Sequence, residues 1–258
     1  MYYIKRLFYQ LISRSKFVTL ILHNLWIVYQ KIRCGFKYYY YFKLRRQISS
    51  LSDRGQDKWI IEIFELKKKN YKGFFLEIGG GDGFCNSNTF LIEKYYGWKG
   101  ILVEPNPDLF KKLLLNRPNM ILSNKIIYDK SNFFYFKIEG ELSRIVKENE
   151  IKNKNDYIEL KSIKLVELLQ MHKAPSIIDF FSLDVEGSED KVLTQELLDN
   201  YTFLSLCVER PSNYLHELLI KKKYIFVRSN VYDCFYVNEK FFNLKKIKLE
   251  KYSQYFSK

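Results

Sequence analysis

From residue 74 onward, short and continuously apolar runs alternate with longer stretches whose apolar residues recur every three or four positions. The first pattern suits strands buried on both faces, and the second suits helices with one buried face. Strands are predicted at 74–78, 100–104, 120–124, 177–184, 203–209, 224–229 and 234–238, with an added one at 133–138. Helices are predicted at 58–69, 87–96, 108–116, 163–171, 188–199 and 214–223. Strands spaced by helices imply an α/β fold built on a doubly wound, mostly parallel sheet. The last two strands are close enough in sequence to pair as an antiparallel C-terminal hairpin.

The first 48 residues do not follow this rhythm. An apolar stretch at 17–29 is only thirteen residues long and is interrupted by His23 and Asn24. Roughly 20 apolar residues are needed to span a bilayer, so no crossing helix is expected, and no small-residue cleavage site follows it. Ten Lys/Arg and no acid fall within residues 1–46, and the segment closes on Tyr38-Tyr39-Tyr40-Tyr41-Phe42. A basic, aromatic, amphipathic segment suits the membrane interface. A helical arm packed on protein is the competing reading, and nucleic-acid binding a third. Turn-forming residues at 49–55 read as a linker. The expected organisation is therefore a basic arm (1–48), an α/β domain (49–240) and a basic tail (241–258).

Charge changes this picture only locally. Of the formal net charge of +14, only about +4 belongs to the residues after 46, so the domain is not a uniformly basic surface. Four scattered cysteines without a C-x-x-C pair, and three histidines in all, indicate no zinc site.

In sheets of this kind ligands sit beyond the carboxyl ends of the strands, at the point where strand order reverses. The strand ends carry Glu77-Ile78-Gly79-Gly80-Gly81-Asp82-Gly83, then Glu104, Asp184 and Glu209. The loop reads G-x-G-x-G. A dinucleotide turn would want its last glycine at position 84, which is Phe84. Acids at 77 and 82 suit a cationic ligand better than a pyrophosphate, and S-adenosylmethionine carries both a sulfonium and an ammonium group. Glu104 is placed for the ribose hydroxyls, a role that a similar acid fills in dinucleotide folds. Cofactor contacts are assigned to Glu77, Gly79, Gly81, Asp82, Gly83, Asn88, Glu104, Pro105 and Asn124. Asp184, followed by Glu186 and Gly187, could orient a hydroxyl or take its proton, and Glu186 and Glu209 are the next catalytic candidates. Oxygen ligands there would suit Mg2+ rather than zinc. An Asp184 that merely caps the following helix explains the same pattern, and no metal site is assigned.

Taken in order, the blocks at 52–57 (SDRGQD), 75–94 (FLEIGGGDGFCNSNTFLIEK), 97–107 (GWKGILVEPNP) and 178–188 (IDFFSLDVEGS) resemble the FkbM-type methyltransferases. Glu209 and the closing stretch at 232–237 follow the same pattern, and the resemblance covers roughly residues 50–240. It implies a class I methyltransferase fold, Rossmann-like with a seven-stranded sheet. It also implies S-adenosylmethionine as cofactor and O-methylation, commonly of a sugar or polyketide hydroxyl. The family usually shows a small residue and Asn where this chain has Gly80 and Gly81, a departure that keeps the loop open. The expected activity is methyl transfer to a hydroxyl of a glycan or lipid-linked saccharide, at the cytoplasmic face of a membrane if the arm binds there. Two rivals remain: a nucleic-acid methyltransferase, disfavoured because no N-P-P-Y-type tetrapeptide follows the fourth strand, and a non-catalytic scaffold.

Overall fold

The computed structural model describes residues 28–29, 32–44, 46–151, 157–242, 247–250 and 252. The chain divides into two compact units, Met1–Ser49 and Ser50–Lys258. In the first, residues 32–38 are helical and run into a π-helical turn at Tyr39–Lys43. Ile32, Phe36 and Tyr39 are exposed. Most of the apolar stretch expected at 17–29 lies outside the described residues, as does most of the basic tail. No helix among the described residues is long and apolar enough to cross a membrane.

The second unit is built on a seven-stranded sheet, ordered β10-β11-β9-β8-β1-β2-β3. Its strands are β1 (Phe74–Ile78), β2 (Lys99–Val103), β3 (Ile121–Ser123), β8 (Ile177–Leu183), β9 (Thr202–Glu209), β10 (Tyr224–Ser229) and β11 (Asp233–Asn238). Parallel pairing runs from β9 through β8, β1 and β2 to β3, whereas β11 is antiparallel to both β9 and β10. The terminal hairpin and the doubly wound order are those expected from the sequence. The central strands are buried on both faces because helices cover each side, which is why they read as unbroken apolar runs. The helices are α1 (Gln56–Ile63), α2 (Phe90–Tyr96), α3 (Pro107–Asn116), α4 (Leu165–Met171), α5 (Glu189–Val192), α6 (Gln195–Asn200) and α7 (Asn213–Lys221).

Two local differences from the expected elements bear on the site. The helix expected from residue 87 starts only at Phe90, because the residues before it bind elsewhere: Asn88 N and Thr89 Oγ1 donate to the carboxylate of Glu77. The helix expected over 188–199 is two helices, α5 and α6, and the second is capped by Thr194 Oγ1 accepting from Leu197 N.

Between β3 and α4 the chain builds a second sheet of which the sequence showed one strand only. Its order is β4-β7-β5-β6, from Ile126–Ile127, Tyr157–Ile163, Phe133–Lys137 and Arg144–Val146. Two of these strands are three residues or shorter, and β7 is half-exposed, so neither length nor apolar periodicity marks them. The chain leaves β1 towards β2 and β3, crosses back, and continues from β8 on the other side. The reversal point thus lies between β1 and β8, and Phe136 and Ile145 of the second sheet, with Gly140 in the turn between β5 and β6, wall the crevice above it.

Candidate active site

A cleft of about 950 Å3, open mouth included, lies at the carboxyl ends of β1, β2 and β8. Its floor is the glycine turn after β1. Gly79 and Gly80 both donate their N–H to Val103 O, at 3.0 and 2.9 Å, and Asp184 N donates to Ile78 O at 3.0 Å. These bonds stitch the turn to both neighbouring strands. At Gly79, φ is +86° and an added Cβ would stand 2.0 Å from Asp184 O, so only glycine fits at the seam between β1 and β8.

Glu104 follows β2 and is buried. Its Oε2 accepts from Gly81 N at 2.9 Å and its Oε1 from Asn106 N at 2.8 Å. Burial, only partly offset by these two bonds, pushes its carboxyl up to about 7. Asn106 in turn caps α3, accepting from Asp108 N at 3.0 Å.

Glu77 lines the cleft, but its oxygens point into a buried network beneath the turn. Oε1 accepts from Asn88 N at 2.9 Å, and Oε2 from Thr89 Oγ1 at 2.5 Å and Ser87 Oγ at 3.3 Å. Burial raises this carboxyl, while Arg117 and the hydroxyl donors act against the rise. Arg117 is fully buried behind the turn. It pairs with Glu93 and donates to Gly83 O (3.2 Å), Ser87 Oγ (3.1 Å) and Thr89 Oγ1 (2.9 Å). Nothing along the chain marks Arg117, since an Arg-Pro pair after a helix looks like a plain terminator.

The other cofactor candidates separate. Gly79, Gly81, Asn88 and Pro105 line the cleft. Asp82 Oδ1 instead accepts from Phe84 N and Cys85 N, at 2.9 and 2.6 Å, holding the turn's own backbone. Gly83 packs against α3, where an added Cβ would meet Leu113 Cδ1 at 2.5 Å and Arg117 Cγ at 2.7 Å. Asn124 is exposed after β3 and is not part of the cleft lining.

Opposite Glu104, Asp184 stands open to the cleft at the end of β8, with protein enclosing its other sides. Glu186 also lines the cleft, whereas Glu209 lies behind it, against Asp184. Burial comes first, and the facing carboxylates of Glu209 and Glu186 next, in holding Asp184 well above the usual carboxylate range. The same causes, burial and then Glu186, push Glu209 up to about 7. Arg210 is shared: its Nη1 lies 3.0 Å from Glu209 Oε1 and 3.6 Å from Glu186 Oε2. Glu186 and Arg210 both adopt left-handed backbone, at φ 53° and 41°, an unfavourable conformation for such residues. The guanidinium of Arg210 stacks 4.2 Å from the Tyr232 ring centroid and that of Arg54 4.5 Å, with Gln56 Nε2 donating to Asp233 Oδ2 at 2.9 Å. The block at 52–57 thus buttresses the acidic end of the cleft from the far end of the sequence.

The family model for the FkbM methyltransferase domain matches residues 77–216, the span that carries all of this geometry except the 52–57 buttress and the closing hairpin. The chain belongs to the FkbM methyltransferase family. Membership makes it a methyltransferase of the class that uses S-adenosylmethionine. Solved structures similar to it include the METTL16 MTase domain (11% identity, 81% of this chain and 77% of that one, TM-score 0.46). A methyltransferase from Pyrococcus furiosus (16%, 81% and 96%, 0.39) and the human methyltransferase 10 domain containing protein (12%, 81% and 94%, 0.41) are similar in the same way. No curated protein matches the chain.

Proposed function

We propose that this FkbM methyltransferase transfers a methyl group from S-adenosylmethionine to a hydroxyl oxygen, that of a sugar in a glycan or lipid-linked saccharide. The observation that carries the reading is the pairing of two unlike ends in one cleft. At one end are a glycine floor and a buried Glu104; at the other, Asp184 opens beside Gly79 with Glu186 and Glu209 around it.

The residues suit the cofactor. Asn88 Oδ1 is enclosed without a hydrogen-bond partner and can accept from an ammonium group. Glu104, already held by two backbone N–H groups, can also accept from ribose hydroxyls. Gly79 and Gly81 bring backbone close to a ligand. When bound, S-adenosylmethionine supplies a methyl group on positively charged sulfur and leaves as the neutral thioether. The chain's own part is to fix the acceptor hydroxyl and to relieve it of its proton as its oxygen takes the methyl. Asp184 is positioned to accept that proton, and Glu186 and Glu209 fix its surroundings. Positioning of two reactants is the larger part of such catalysis.

A cleft ringed by carboxylates repels a polyphosphate backbone, which weighs against a nucleic-acid acceptor. The N-terminal arm supports a lipid-linked substrate: Ile32, Phe36 and Tyr39 are exposed on a segment that bears Arg33, Lys37 and Lys43. Such a segment would hold the enzyme at an anionic membrane surface.

The test is incubation with methyl-labelled donor and saccharide or lipid-linked saccharide acceptors, in the presence of anionic vesicles. The expected product is an alkali-stable methyl ether on a sugar, with vesicle binding lost when residues 1–46 are removed. Label appearing on nitrogen, on nucleic acid or nowhere, despite demonstrated donor binding, would refute the acceptor assignment. Equal vesicle binding with and without the arm would refute its role.

A further inference from the structure

We propose that Asp184, Glu189 and Glu209 form a divalent-cation site at the acceptor end of the cleft, suited to Mg2+ or Mn2+. The three residues come from different elements: the end of β8, the first turn of α5 and the end of β9. Each offers a carboxylate oxygen, and the three oxygens lie within 4.8 Å of one another. That spacing lets one ion of the hard, oxygen-preferring kind touch all three after small side-chain adjustment.

The second observation concerns the donors that these acids lack. Glu209 is 7% exposed, and its Oε2 is enclosed without any hydrogen-bond partner, while Oε1 is taken by Arg210. A buried carboxylate oxygen with no donor is costly unless something positive reaches it. Asp184 faces Glu209 within hydrogen-bonding reach and can donate to it only while it keeps its own proton, the proton that a bound cation would replace. The one nearby guanidinium, Arg210, is already divided between Glu209 and Glu186. Among the described residues no Lys or Arg pairs with Asp184 or Glu189. Glu189 uses Oε1 to accept from Val185 N (3.2 Å) and Gly187 N (3.1 Å), which fixes the side chain and leaves Oε2 for a ligand. A fixed Glu189, an enclosed Glu209 oxygen and a cleft-facing Asp184 make a facial set. Three of six octahedral positions are left for water and for hydroxyl oxygens of an acceptor.

The site borders the turn where the donor would lie, since Asp184 N bonds Ile78 O and Asp184 O abuts Gly79. A cation there would grip two acceptor oxygens and make the coordinated hydroxyl more acidic. Asp184 would hold the ion through one carboxylate oxygen and keep the other to accept the hydroxyl's proton. This use of the site rests on the methyl-transfer reading, but the cation site itself does not.

The experiment is titration of the chelator-stripped full chain with Mn2+, followed by electron paramagnetic resonance, with Mg2+ as competitor and with donor binding measured separately. Saturable binding of one Mn2+, displaced by Mg2+, is expected. It should weaken at least tenfold in both Glu189→Gln and Asp184→Asn. Glu189→Gln keeps the Oε1 acceptor for the two backbone N–H groups, so its thermal transition should stay near that of the parent chain. Absence of Mn2+ binding, or equal binding in parent and both variants, overturns the site. Donor binding without Mn2+ would sink this inference and leave the methyltransferase reading standing, and Mn2+ binding without donor the reverse.

Discussion

The carboxylates of Glu77 and Glu104, on the cofactor side of the cleft, each accept hydrogen bonds at both oxygens, and Arg117 closes the network beneath the turn. At the acceptor side Glu209 keeps an enclosed carboxylate oxygen unpaired, and Asp184 faces like charges. The first region is the better satisfied of the two: the protein bonds both oxygens of each carboxylate, although burial still raises both carboxyls and Asn88 Oδ1 stays unpaired. The second is held in a state the protein alone does not satisfy, as expected where charge awaits a ligand. Stability should therefore depend chiefly on the first region, and turnover on the second.

The largest expected effect is that of Asp184→Asn. It should lower kcat by about 10²–10⁴-fold, the usual worth of a positioned proton acceptor, while cofactor affinity shifts by no more than about threefold. Equal losses in donor binding and turnover would show that the two ends of the cleft are not separable. Next in size is Arg117→Met, which strands the buried Glu77 without its cation and leaves Glu93 only Lys94. Denaturant unfolding should show a loss of about 3–5 kcal/mol, the cost of breaking a buried pair from one side. A change below about 1 kcal/mol would mean that these acids are protonated or otherwise compensated.

The smallest effect is the pH response of Glu104, and its sign is the informative part. Its folded carboxyl lies near 7, above the unfolded value of 4.5. The folded protein therefore binds the proton more tightly, and this group's contribution to stability is lost as pH rises from 4.5 through 7. Ribose hydroxyls donate to the ionised form, so donor affinity should move the other way, falling up to about tenfold between pH 8 and 6. Calorimetric titration across that range checks it, and a flat affinity profile would remove Glu104 from ribose binding.

The two regions also differ in how far they could be read from sequence. Each cofactor-side element announces itself locally: an apolar run ending in Glu77 and three glycines, and another ending in Glu104. The acids of the other region were visible one by one, but Glu189 looked like an ordinary first-turn residue of a helix. Its Oε1 is held by Val185 N and Gly187 N, bonds that depend on the left-handed turn through Glu186 and Gly187. The second sheet was largely invisible because β4 and β6 are too short to show a period. Yet its residues wall the cleft.

The alternation of strands and helices, the antiparallel finish, the strand-end acids and the family are all legible along the chain. Those properties follow from residues close together in the chain, where apolar runs, glycines and caps act over a few positions. Folding of the whole domain is what puts Arg117 under the glycine turn, sets Glu209 behind Asp184 and brings Glu189 to join them. These groups are separated by tens of residues or by a turn whose handedness is not local information. Strand order, set by burial of the whole sheet between its helices, is what brings their charges within reach of one another.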